Sequence, residues 1–339
     1  MTTFLAVVGG LVVGLVLLVV LGFVALRLWL RWKLGKLGLR MADAGHQPVV
    51  PRITLVACGP EGIADDDGAR AQIAAFEAAG WTPVGTWRIP RMQDMGLWAA
   101  RSPSGEDWAV VYVHPALPAF FDLVRPWAPE GCGFTLGTGP FHDPANVPPG
   151  CGMDWRPGLD AAAGLAAWAA LAPGLAPARR VPVEGLAALV ERHYAAQMDH
   201  ILARGGPEEA EIDRVIAQSG GPRDLDAAQR AEAMERIRSD RLLALEEAIE
   251  DHLLREGGIS ALDWQRSEGR RVLVHALHRP QEVLALFAAV GGTPVAVTPG
   301  DDMPAYFAAI NATLEEGQRF RRLGATRRPV PAEAWVEPD

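Results

Sequence analysis

The sequence predicts an α+β fold: an N-terminal transmembrane helix, then a soluble mixed sheet and helix domain with a helical middle region. Three observations carry this reading. A 23-residue run that starts at Phe4 and ends at Leu26 holds no charge and no strongly polar side chain. Between Ile53 and Gly137, short apolar stretches bounded by Gly and Pro recur at strand length. From Asp224 to Glu256, apolar residues return at helical spacing over a long charged stretch.

A bilayer core about 30 Å thick needs roughly 20 apolar residues in a spanning helix. At about 1.5 Å per residue, the first run reaches about 34 Å. A cleaved secretory signal would have a charged start, a shorter apolar core of about 7 to 15 residues and a small-residue cleavage site. Here the start is Met-Thr-Thr, and the run leads directly into Arg27, Arg31, Lys33, Lys36 and Arg40. A retained anchor is therefore expected. Cationic flanks mark the cytoplasmic side, so the expected place is a bacterial inner membrane, single-pass, with the C-terminal domain in the cytoplasm. Trp29 and Trp32 suit the headgroup level, and Lys33 and Lys36 can meet anionic lipid. The lipid bilayer is thus the first expected partner. Gly10 and Gly14 form a GxxxG pair with Gly22 on the same side, a spacing that lets two such helices approach as a homodimer, although it is frequent in any Gly-rich span.

The chain of 339 residues has a net charge of −9. Residues 1–40 carry +5 with no acid, which leaves −14 on the remainder. That balance excludes a nucleic-acid partner, whose phosphates demand a basic surface. Thirty arginines against two lysines, with abundant alanine, reflect the coding bias of a GC-rich bacterial genome rather than a function. Cys58, Cys132 and Cys151 contain no CxxC, and such an odd, sparse set fits a reducing compartment.

In chain order, residues 1–40 form the anchor and basic collar, and 41–52 a linker interrupted by Pro48 and Pro51. An α+β domain is expected over 53–175. It begins with a strand at 53–58 and a helix opened by Asp65, Asp66 and Asp67 and stopped by Gly80. Strands at 84–90, 96–100, 108–113, 120–124 and 134–137 follow, with a hairpin around 102–105. Residues 139–157 read as a loop and 159–171 as a helix. A helical region spans 180–258, with helices at 183–203 and 224–256 ended by Gly257 and Gly258. A second α+β segment covers 259–323: strands at 272–277 and 293–298, helices at 280–290 and 303–323. The tail, 324–339, reads as loosely ordered. Residues 76–84 and 287–295 match at six of nine positions. The match reads either as a duplicated unit or as two independent helix, Gly and strand junctions, and its fading on both sides favours the latter.

Strong catalytic motifs are missing. The sequence contains no P-loop, no GxGxxG after a strand, no HExxH, no EF-hand loop and no GxSxG elbow. No cofactor and no metal site is assigned. His275, His278 and Glu282 would converge only if all three were helical, and the strand-like run around His275 and the restart at Pro280 oppose that. His193 and His200 lie two turns apart, about 10 Å, too far for one small ion. Cys132, His142 and Cys151, with Asp143 and Asp154 nearby, form a candidate zinc or thiol site without four well-spaced ligands. Cys58 at a strand end could be a nucleophile, although inert cysteines of this kind are commoner. The tryptophans of 53–175 read mostly as core.

The segment from Phe76 through Ala-Gly-Trp-Thr-Pro-Val-Gly85 and a hairpin to Gly133-Phe-Thr-Leu-Gly-Thr-Gly139, together with the anchor, resembles bacterial single-pass membrane-anchored proteins of unknown function. The resemblance implies no substrate, cofactor or catalytic residue. The expected function is a non-enzymatic, membrane-anchored cytoplasmic domain that binds a protein partner or small ligand. The alternative is a membrane-tethered, hydrolase-like enzyme with a site near Cys132 to Asp154.

Overall fold

The computed structural model describes residues 49–93, 95–114, 117–128, 132–140, 142–213, 225–289 and 303–337. The expected anchor, its collar (Trp29, Trp32, Lys33 and Lys36 included), the glycine pair, most of the linker and the strand at 293–298 lie outside them. Among the described residues, no helix is long and apolar enough to cross a membrane. The chain divides into two units, one of Met1–Pro48 with Pro207–Met234 and one of Val49–Gly206 with Glu235–Asp339.

The second unit is α+β and contains two sheets. The larger has seven strands in sequence order: β1 (Val56–Ala57), β2 (Thr82–Ile89), β3 (Met95–Arg101), β4 (Trp108–His114), β5 (Leu117–Pro126), β6 (Gly133–Gly137) and β7 (Gly152–Trp155). Every neighbouring pair is antiparallel except β6 and β7. Side chains alternate across a strand, so Leu97, Ala99, Trp108, Val110 and Phe120 enter one core while Trp98, Ala100, Ala109, Val111 and Phe121 enter the other. Both faces are covered, which is why these strands read as continuous apolar runs. One face packs against Asp67–Ala78 and Ala161–Leu171, the other against the segment from Val50 to Leu55 and the helix Leu186–Ala203. Each of the first two helices starts on an aspartate cap: Asp66 accepts from the Ala69 amide at 2.8 Å and Asp160 from the Ala163 amide at 2.8 Å. Gly80, with φ +82°, follows the end of Asp67–Ala78.

The smaller sheet has the order β8 (Arg271–His275), β10 (Ala332–Val336), β9 (Arg321–Thr326). The long helix Ala227–Arg255 contributes Ala244, Leu245, Ala248, Ile249 and Leu253 to the core that holds Ala332 and Ala334. Pro280–Ala289 and Met303–Ala312 contribute Val283, Phe307 and Ile310 to the core that holds Val272, Val274 and Trp335.

Several boundaries differ from expectation. The tail is not loosely ordered: β10 is the central strand of its sheet, with Ala332, Ala334 and Val336 almost wholly buried. One of its pairing partners, β8, is distant in sequence, and flanking prolines hide the strand pattern. The helix expected over 303–323 stops at Ala312, and β9 begins at Arg321. The 139–157 loop contains β7, too short to show a period. The first strand is only two residues, held against β2 through Val56 and Ala57.

In the first unit, the described residues run over 207–213 and 225–234. Asp226 and Gln229 cap the long helix reciprocally: the Gln229 amide donates to Asp226 Oδ1 at 2.9 Å and the Asp226 amide to Gln229 Oε1 at 3.0 Å. Arg230 pairs with Asp213 at 2.8 Å.

Candidate functional site

Alternation along β8 decides where its last residue goes. Val272 and Val274 face one core, so His275 shares the side of Leu273, which the long helix covers. There it is fully buried. The chain turns immediately: the His278 amide donates to the His275 carbonyl at 3.1 Å, which brings the two imidazoles into a stack with centroids 3.5 Å apart. Glu246 approaches from the long helix, its Oε1 3.9 Å from His278 Nε2. One ligand atom from each of Glu246, His275 and His278 lies within 4.8 Å of the others.

The electrostatics keep both rings neutral. Burial, and then the neighbouring His278, pushes His275 down to about 3, and burial pushes His278 down to about 4. Burial raises the Glu246 carboxyl. His275 Nε2 is buried with no hydrogen-bond partner among the described residues. The Leu277 amide reaches His275 Nδ1 at 3.3 Å, and the His275 amide reaches His278 Nδ1 at 3.2 Å. A metal on Nε2 would move the ring proton to Nδ1 and sacrifice these two long contacts, at about 1 kcal/mol each. A micromolar site supplies about 8 kcal/mol, so that loss does not decide the matter. Two imidazoles and a carboxylate suit zinc or a similar borderline ion; calcium and magnesium favour all-oxygen shells.

This geometry departs from the sequence expectation in two ways. His275 and His278 converge without being helical, because a turn stacks them. Glu282 is not the third group: it pairs with Arg238 at 2.9 and 3.2 Å and accepts from the Arg279 amide at 2.6 Å. Glu246 was missed because it lies 29 residues before His275 on a helix covered with acids, where one carboxylate looks like any other.

No family model, curated protein or solved structure matches this chain. The assignment of chemistry therefore rests on geometry.

The second region is the one expected around Cys132, His142 and Cys151. Cys132 and Cys151 form a disulfide, tying the residue before β6 to the residue before β7. Both sulfurs are thereby withdrawn from ligation, and the cysteine set is one pair plus the half-buried free thiol of Cys58. Asp154 pairs with Arg156 at 2.7 Å, and Asp143 caps the turn at Pro144–Asn146. His142 turns to a different acid, Asp122 on β5, with Nε2 at 3.1 Å from Oδ1, while Nδ1 lies 3.3 Å from the Gly139 carbonyl. Burial opposes the charged ring, but the Asp122 charge, its hydrogen bond and the Gly139 carbonyl together raise the His142 pKa. Beside this pair is a cavity of about 40 Å³ between the sheet and Leu186–Ala203, lined in part by Tyr112, Asp122, Thr135 and His193. It is large enough for one or two waters. Burial and then Asp122 hold the Tyr112 hydroxyl well above its ordinary pKa. Of the tryptophans, Trp81, Trp98, Trp108 and Trp168 are buried core.

Proposed function

We propose that the chain is a non-enzymatic, membrane-anchored binding module whose folded body takes a divalent transition metal between Glu246, His275 and His278. The supporting observation is the convergence of two neutral, buried imidazoles and a carboxylate, beside which His275 Nε2 has no hydrogen-bond partner among the described residues. The anchor is the 4–26 run, and the flanking cations favour a cytoplasmic body. The test is zinc titration of the full-length chain in neutral detergent, followed by calorimetry. One equivalent should bind with micromolar affinity. His275→Ala should weaken binding by about 100-fold, and Glu282→Gln by less than about tenfold, since loss of a true ligand removes far more than loss of a neighbouring charge. Absence of stoichiometric zinc binding, or equal losses in the two variants, would sink the proposal.

The membrane-tethered enzyme is the second reading. It is favoured by the His142 and Asp122 pair, whose aspartate borders a small, mostly apolar cavity. Changes at Cys132, His142 and Cys151 that abolish a cellular phenotype at normal abundance would favour it.

A further inference from the structure

Among the described residues, arginines from separate segments gather around one groove of this acidic chain. A groove of about 540 Å³ opens between the helix Ala261–Arg266 and the two strands β9 and β10. Arg266 and Arg270 approach from one wall, Arg319 and Arg321 from the other. Asp263 and Glu337 are the acids on the same surface, so the groove holds a surplus of two positive charges. Asp263 is already engaged, accepting from the Ser260 hydroxyl at 2.7 Å.

Strand geometry selects which arginines enter. On β9, Arg321 lies in the groove with Leu323, while the intervening Arg322 reaches Glu333 at 2.8 Å. On the opposite wall, Arg271 stacks 3.8 Å over the Trp264 ring, leaving Arg270 at the groove. The frame is fixed by backbone pairing: the Glu337 amide donates to the Arg270 carbonyl at 2.9 Å, and the Arg270 amide to the Ser267 carbonyl at 3.0 Å. Secondary structure thus fixes the backbone from which these arginines line the groove.

From this we infer that the groove is a binding site for a small phosphate-bearing molecule. Guanidinium is the side chain whose planar donor fork matches phosphate oxygens. The volume falls within the roughly 300 to 1,000 Å³ of small-molecule sites. A long nucleic acid is opposed by the −14 charge on residues 41–339. The phosphate belongs either to a soluble ester or to an anionic lipid headgroup, and the two sources share this chemistry. The site is separate from the Glu246, His275 and His278 cluster, so neither proposal depends on the other.

Full-length chain in neutral dodecyl maltoside is titrated with inorganic pyrophosphate by calorimetry, and in a second arm with dihexanoyl phosphatidic acid. Saturable binding is expected in at least one arm. Arg266→Glu combined with Arg321→Glu should weaken it by about tenfold or more, and Arg322→Glu by no more than about twofold. Arg266→Gln with Arg321→Gln, which reverses no charge, should weaken binding in the same direction with an unchanged denaturation midpoint. Binding in the pyrophosphate arm alone assigns a soluble phosphate ester; binding in the phosphatidic acid arm alone assigns a headgroup; binding in both shows that the phosphate suffices. No saturable binding in either arm, or equal weakening by Arg322→Glu, overturns the inference.

Discussion

His142 and His275 show how the same side chain is put to opposite uses by its surroundings. His275 is buried beside another imidazole and stays neutral. His142 has an acceptor at each nitrogen, Asp122 at one and the Gly139 carbonyl at the other, so both nitrogens are asked to donate and the charged ring is favoured. Its folded pKa lies above the ordinary value near 6.5. A raised folded pKa means that the stabilisation is fully present below the ordinary value and fades as pH rises through the folded one. Urea midpoints measured from pH 6 to 9 should therefore fall in the wild type. The Asp122→Asn variant should lose that part of the dependence, and an undiminished slope would show that the pair contributes nothing. Arg125 offers a contrast, since it does not titrate in this range: its guanidinium grips Asp107 through two hydrogen bonds at 2.7 and 3.0 Å and donates to the Ala172 carbonyl at 2.7 Å, joining the sheet to the end of the 161–171 helix.

The same helix is held to the sheet at its middle by closeness rather than charge. A Cβ placed on Gly164 would meet Phe121 Cζ at 2.4 Å, and Phe121 is fully buried beneath it. Gly164→Val should cost about 2 kcal/mol through overpacking, read as a lowered urea midpoint with an unchanged slope. A neutral result would mean that the helix can slide on the sheet. The extent of this helix was nearly legible, 159–171 expected against Ala161–Leu171 observed, but its glycine carries no mark of the ring above it. That difference recurs across the fold. Elements with local signals were readable: the aspartates before the 67–78 helix, the turn residues between β3 and β4, the apolar stripe of the long helix. Elements defined by remote partners were not. β10 is a strand because β8, about sixty residues upstream, and the nearby β9 flank it and supply its hydrogen bonds. The grouping of Glu246, His275 and His278 was hidden for a similar reason. Two of its residues stood three apart in the sequence, but a turn brings them together and a helix far upstream supplies the third. His142 stood out in the sequence as a candidate, yet its partner, Asp122, sat unmarked in an apolar strand.

For the whole molecule, two observations bear in opposite directions on the compartment expected of the folded body. The five cations after the apolar run, with no basic residue before it, favour a cytoplasmic body. The Cys132–Cys151 disulfide favours an oxidising compartment, because glutathione and thioredoxin keep cytosolic thiols reduced. The sparse cysteine set therefore no longer supports the charge argument, which stands on its own. The two are separable because one concerns insertion and the other concerns the finished fold. With the body in the cytoplasm, a C-terminal green fluorescent protein fusion should fluoresce. A C-terminal alkaline phosphatase fusion that is active, together with alkylation of Cys58 alone, would reverse the topology. The 4–26 run would then be an anchor facing the other way, and the arginine groove would face extracytoplasmic phosphate chemistry rather than the inner leaflet.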